Sequence, residues 1–210
     1  VTIVSDDLIR QRLRRQVKPP KSSWAPPDIT EFATGVRVLC WDPSLLHTGF
    51  VDLTCYGSSF EVLAHRTFNM QSAEIIGYRK TWDLATHLHD EISQVYVQRS
   101  GPFCHTAIES PYIGSGQRTE SALIAGLQVW DVARRVCPVS RIHAVSASHV
   151  SSVLCGNVRH DKKEIAAAVL RYIPESGSRS WSEHQRDAAA VGLTLLHDDL
   201  AHEEEPGDGS

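Results

Sequence analysis

Along residues 36–197 the chain alternates short apolar runs with longer stretches in which apolar side chains recur every three to four positions. A two-residue period with β-branched or aromatic side chains marks strands, and a period near 3.6 marks helices. Residues 36–41, Val-Arg-Val-Leu-Cys-Trp, form a strand-like run that stops at Asp42-Pro43. Proline has no N–H to give to a ladder, so Asp42 falls at the strand tip. Residues 49–53 and 61–68 read as two further strands around a turn at Tyr56-Gly57-Ser58-Ser59, which makes an antiparallel opening of three strands. A long helix is predicted over 73–98, where Ile76, Leu84, Leu88, Ile92 and Val95 lie near helical spacing. A fourth strand over 103–108 runs into Glu109-Ser110-Pro111, so a second acid stands at a strand end. After the loop Gly114-Ser115-Gly116 the pattern predicts a helix over 120–136, a short strand over 141–145, a helical segment over 148–154 and a helix over 161–173. A loop over 174–179 and a last helix over 182–199, with Val191, Leu195 and Leu196 on its buried side, complete the series. Three opening strands followed by alternating helix and strand predict a mixed α/β domain with helices on both faces of the sheet.

The flanks differ from this body. Residues 1–34 begin with a short basic amphipathic stretch and continue through Lys18-Pro19-Pro20-Lys21 and Ala25-Pro26-Pro27, where paired prolines forbid a regular element. The segment reads as an N-terminal arm or linker, with Trp24 packing on the body or the arm touching nucleic acid or a partner. The body spans 35–200, and 201–210 reads as an acidic disordered tail. At 210 residues the chain suits one domain with appendages, and its 41% hydrophobic and 22% charged residues are ordinary for a globular protein. No apolar run approaches the roughly 18 residues of a membrane span, and the first residues lack a secretory apolar stretch. Five scattered cysteines, Cys40, Cys55, Cys104, Cys137 and Cys155, form no CxxC pair and read as small apolar residues. An intracellular location is therefore expected, in cytoplasm or nucleoid, with an organelle or a virus-infected cell also compatible.

Charge adds one point. The net charge of −4 is a sum of unlike parts: six acids and no Lys or Arg over 198–210, six bases and four acids over 1–34, and 15 of each sign between. A neutral body permits nucleic-acid binding without demonstrating it, because distribution matters more than the sum.

Candidate chemistry lies in four residues far apart in sequence. Asp42 and Glu109 end two strands, while His184 and Asp187, three apart on a predicted helix, share a face. Three carboxylates and an imidazole suit hard divalent cations, magnesium or manganese. Two such ions about 3.5 to 4 Å apart can drive in-line phosphodiester hydrolysis. Three of the four also have a plainer reading: Asp42 as a turn cap before Pro43, Glu109 as an ion-pair partner, and His184 as an exposed helix residue. Glu183, four residues before Asp187, is a rival ligand.

Cys40-Trp41-Asp42-Pro43-Ser44 with Thr48-Gly49-Phe50 resembles the first motif of the RuvC family of Holliday junction resolvases, which have an RNase H-like fold. Ala107-Ile108-Glu109-Ser110-Pro111-Tyr112 resembles the second acidic motif, and Ser121-Ala122-Leu123 with Gly126 the helix after it. Residues 156–165, containing Lys162, resemble the basic motif, and His184-Gln185-Arg186-Asp187-Ala188-Ala189-Ala190 the terminal helix motif. Trp41 and Ser44 depart from the aliphatic residue and glycine common at those positions. The resemblance implies an RNase H-like, mixed five-stranded sheet. It implies two Mg2+ ions, with Mn2+ able to substitute, held by Asp42, Glu109, His184 and Asp187, and a catalytic Lys162 that neutralises a phosphate oxygen, with Lys163 as a neighbour able to replace it. Tyr112 would stack on a base, and Arg118, Arg159, Lys163 and Arg179 are candidate DNA contacts. The implied protein is a homodimer acting on four-way or branched DNA, with no membrane and no small-molecule cofactor. A branched-DNA, flap or RNA-cutting nuclease of the same fold and an inactive junction-binding protein are the alternatives.

Overall fold

A computed structural model describes residues 29, 32–44, 47–69, 105–110, 117–136, 140–156 and 161–199. Five strands, β1 (Arg37–Asp42), β2 (His47–Tyr56), β3 (Ser59–Asn69), β4 (His105–Ser110) and β5 (Arg141–Ser146), form one sheet in the order β3-β2-β1-β4-β5. The first three are antiparallel neighbours, whereas β4 runs parallel to β1 and β5 parallel to β4. Four helices are described: α1 (Gln117–Val136), α2 (Ala147–Cys155), α3 (Lys162–Tyr172) and α4 (Glu183–Thr194). None of them is long and apolar enough to cross a membrane. The sheet is mixed and the fold α/β, as the alternation of periods predicts.

Strand alternation divides the core. Val38 and Cys40 of β1, Val51 and Leu53 of β2, Ala107 of β4 and Val145 of β5 face α2, α3 and α4, whose Val150, Leu154, Ile165, Val169, Ala188, Ala189 and Leu193 close over them. The opposite face carries Leu39, Trp41, Phe50 and Phe68, with the Trp41 and Phe50 rings stacked at 5.2 Å. There α1 packs on β4 and β5 through Ala125, Val129, Val132 and Ala133. Helices therefore cover both faces. Asp52, fully buried in β2, is held by both nitrogens of the Arg37 fork at 2.9 and 2.7 Å.

α4 lies across β1 and β2 because its sequence is stripped of bulk on that side. A Cβ added at Gly192 would stand 2.2 Å from Cys40 Sγ, so only glycine lets the helix come this near. The alanines Ala188, Ala189 and Ala190, all buried, continue the low ridge.

Several predicted bounds shift. β2 extends over ten residues, His47–Tyr56, rather than 49–53. Its apolar pattern is broken by Thr48, Asp52 and Thr54, which are buried polar residues in a strand covered on both faces. Residues 174–179, expected to be a loop, contain a short 3-10 turn, Pro174–Gly177, started by a proline whose missing N–H costs nothing at a helix start. The last helix is α-helical to Thr194 and continues as a π turn over Leu195–Asp199. The predicted helix over 73–98, the glycine loop at 114–116, Cys104, Cys137, residues 1–28, 30 and 31 of the arm and the acidic tail lie outside the described residues. The end of the arm is described and packs on the body, with Ile29 buried and its N–H donating to the Tyr172 hydroxyl at 3.0 Å. Among the described residues Cys40, Cys55 and Cys155 are buried and form no disulfide, consistent with their reading as apolar residues.

Candidate active site

Parallel pairing of β1 with β4 sets Trp41 beside Ile108, so the next residues, Asp42 and Glu109, stand side by side at the C-terminal ends of neighbouring strands. Two residues back along each strand, Cys40 and Ala107 face α4, so by the two-residue alternation both carboxylates point into the space beneath that helix. Glu109 lies close enough to Asp42 for the two carboxyls to raise the cost of a second charge. Just beyond Asp42 the chain is fixed by Thr48, whose hydroxyl donates to Ser44 O at 2.6 Å and accepts from Ser44 N at 3.2 Å.

The other half of the site comes from the start of α4. Ser182 is its N-cap: the hydroxyl accepts from Gln185 N at 3.2 Å, and Gln185 Oε1 accepts from Ser182 N at 2.7 Å. This reciprocal capping fixes the first turn, and Thr67 of β3 hydrogen-bonds the Ser182 hydroxyl from the side. His184 and Asp187 leave that turn on one face. His184 Nδ1 donates to Asp42 Oδ2 at 2.7 Å across 142 residues of sequence. The helix can approach so closely because Gly49 of β2 has no side chain: a Cβ there would lie 2.1 Å from the His184 carbonyl oxygen. His47, also on β2, stacks its ring on His184 at 5.6 Å.

Lys162 opens α3, whose Asp161 N-cap makes a second capping box with Glu164. Its ammonium pairs with Glu183 and reaches Asp187 Oδ2 at 3.5 Å. Asp42, Glu109, Lys162, His184 and Asp187 thus line one cleft of about 300 Å³, walled by the apolar Ala147, Val150, Ile165, Ala190 and Val191.

Three carboxylates in a partly dry cleft disturb one another. Burial and then the Asp42 charge push Glu109 up to about 9. Burial and the Asp42 charge push Asp187 up to about 6, against the pull of Lys162. His184 is raised by its hydrogen bond to Asp42 despite burial. Burial lowers Lys162, but the Glu183 hydrogen bond and the two carboxylate charges outweigh it and leave it raised. Among the described residues no three His, Cys, Asp or Glu side chains are drawn into a closed set around one point. Asp42 is turned to His184 instead. The donor set nevertheless fits a hard divalent cation: oxygen-rich, with one imidazole, and carrying more negative charge than its environment tolerates.

The remaining sequence candidates are placed elsewhere. Lys163 is exposed and does not line the cleft; its backbone N–H donates to Asp161 Oδ1 at 2.6 Å. Arg179 is exposed in the turn before α4. Arg118 lies in the first turn of α1, where only the backbone is described, and Tyr112 and Arg159 are outside the described residues. Glu183, the rival ligand, is exposed, paired with Lys162, and not part of the cleft wall. The sequence places Gly49 only within the Thr48-Gly49-Phe50 motif and gives His47 no metal-ligand spacing. A glycine inside a strand is itself the signal of a close backbone approach, and here it marks the seat of α4.

No protein-family model matches the chain, and no curated protein matches it in sequence. Solved structures do. RuvC from Thermus thermophilus in complex with a Holliday junction substrate superposes with a TM-score of 0.64 at 18% identity, covering 79% of this chain and 95% of that one. A second structure of Thermus thermophilus RuvC gives 0.60 at 17% identity, over 76% and 92% of the two chains. The yeast mitochondrial Holliday junction resolvase Ydc2 gives 0.52 at 10% identity, over 89% and 86%. At these identities the likeness is one of fold: this chain has the RuvC-like, RNase H-like architecture.

Proposed function

We propose that this chain is a divalent-cation-dependent DNA endonuclease that resolves four-way junctions, acting as a homodimer that hydrolyses one phosphodiester in each of two opposing strands. The observation that carries this reading is the meeting of Asp42, Glu109 and Asp187, with His184 and Lys162, in one cleft of a RuvC-like fold. The likeness to a RuvC structure bound to a Holliday junction and to a yeast mitochondrial resolvase supports branched DNA as the partner. Cutting both strands symmetrically requires a two-fold arrangement, and closed dimers are the commonest oligomers.

In this reading Asp42, Glu109 and Asp187 hold Mg2+, or Mn2+ in its place, with His184 completing the set. When bound, the ions lower the pKa of a water and stabilise charge on the phosphate and the departing 3′ oxygen. The chain's own contribution is placement. Asp42 is held by His184, so its carboxylate has little freedom to turn away from the cleft. Lys162, at the rim, offers a positive charge to an incoming phosphate, and the apolar wall of Ala147, Val150 and Ile165 limits water. Tyr112, Arg118, Arg159, Lys163 and Arg179 remain proposed DNA contacts, phosphate binding fixing the register without reading sequence.

The test is cleavage of a mobile four-way junction with end-labelled strands, in Mg2+ and in Mn2+, beside a flap, a linear duplex and an RNA–DNA hybrid. Paired nicks on the junction are expected, with Asp42→Asn binding the junction and not cutting it. Equal rates on linear duplex or hybrid would turn the assignment to a general nuclease of this fold. Tight binding with no product in either metal would make the protein a junction binder, and undiminished turnover by Asp42→Asn would remove the site.

A further inference from the structure

Glu183 and Lys162 are the first residues of α4 and α3, and both side chains are more than half exposed, at 57% and 64%. Two carboxylates on one face of α4, four residues apart, therefore compete for a single ammonium: Glu183, in direct contact, and Asp187, whose Oδ2 is 3.5 Å away at the outer limit of an ion pair. Asp187 is the cleft-lining member, with only 22% of its side chain exposed. A cation in the cleft and the Lys162 ammonium would seek the same oxygen. The division of Lys162 between the two acids then matters more than the small stability an exposed pair contributes.

We infer that Glu183 is a positioning residue whose carboxylate holds the Lys162 ammonium at the rim of the cleft and so keeps Asp187 open to a divalent cation. The inference rests on the nuclease reading above and gives Glu183 a role other than ligand. The geometry explains why an acid stands immediately before His184: among the described residues, an uncharged residue there leaves the ammonium no partner but Asp187. Lys162 would then close onto Asp187 and become an internal competitor of the metal. Held by Glu183, the same ammonium remains outside, where a phosphate can meet it.

The experiment is calorimetric titration of Mn2+ into the metal-free full chain for four proteins: wild type, E183Q, K162M and the double variant. E183Q is expected to weaken Mn2+ binding about three- to fivefold, the range an exposed charge pair supports. In the K162M background the same change is expected to alter it less than about 1.5-fold, because the coupling between the two residues is the effect. Equal weakening in both backgrounds would overturn the inference in favour of Glu183 as a direct ligand or a bare field, and so would an unchanged E183Q. A crystal structure of metal-free E183Q supplies a readout independent of metal binding. Lys162 Nζ is expected to close from 3.5 Å to Asp187 Oδ2 to about 2.8 Å, and an ammonium left where it was overturns the inference. If no variant binds Mn2+, the nuclease reading fails, while the crystal structure still decides whether Glu183 holds the lysine.

Discussion

Burial beside Asp42 makes Glu109 a costly place for a charge, and its replacement by glutamine measures that cost. An unfolded chain releases this proton near the ordinary 4.5, whereas the folded chain holds it up to about 9. For an acid raised in the fold, the stability contribution is complete below 4.5 and declines as pH rises toward 9, because the unfolded state alone gains by ionising. Each pH unit in that window costs about 1.4 kcal/mol, so the roughly 2.5 units between 4.5 and pH 7 amount to about 3 kcal/mol. A glutamine side chain has nearly the same shape and no proton to lose. In EDTA at pH 7, Glu109→Gln is therefore expected to raise Tm by about 6 to 12 °C for a domain of this size. At pH 5 the gain is expected to shrink to about 2 to 3 °C. Thermal unfolding followed by circular dichroism at both pH values, without and with Mg2+, makes the comparison. Added Mg2+ is expected to stabilise the wild type and to leave the variant unmoved. A variant no more stable than wild type at pH 7, or a gain that does not depend on pH, would refute the account of the cleft as a set of acids in mutual conflict.

Two further changes test the scaffold. Gly49→Ala puts a methyl 2.1 Å from the His184 carbonyl oxygen, so α4 must lift off β2 at a cost of about 1 to 3 kcal/mol; because His184 and Asp187 travel with the helix, junction cleavage is expected to fall at least about tenfold at temperatures where the variant is still folded, and wild-type rates would disprove the seating role of this glycine. Arg37→Met strands the fully buried Asp52 carboxylate without its cation and is expected to cost about 3 to 5 kcal/mol, read from urea unfolding, with a loss below about 1 kcal/mol refuting the pair's importance.

Much of the architecture was legible because period and punctuation agreed. Pro43 and Pro111 stop strands directly after acids or one residue beyond them, which is why Asp42 and Glu109 could be set at strand ends before any coordinates. The i, i+3 spacing of His184 and Asp187 needed only helical geometry. What the sequence could not supply was depth. The reach of β2 was hidden by Asp52 and Thr54, polar residues whose burial depends on a partner in another strand or on cover from both faces. Gly49 and Gly192 looked like isolated glycines because their meaning is a distance between β-sheet and helix, segments more than 130 residues apart. The division of Lys162 between Glu183 and Asp187 was equally out of reach, since it follows from how two helix starts meet.

The bond between Asp42 and His184 spans nearly the whole domain, and that has a bearing on synthesis. Strand β1 leaves the ribosome before its parallel partner β4, and α4 follows both. Any fragment that lacks β1, β4, α3 or α4 lacks part of the cleft lining. The cleft is therefore assembled only when β1, β4, α3 and α4 have all come together, so its integrity reports on the whole fold.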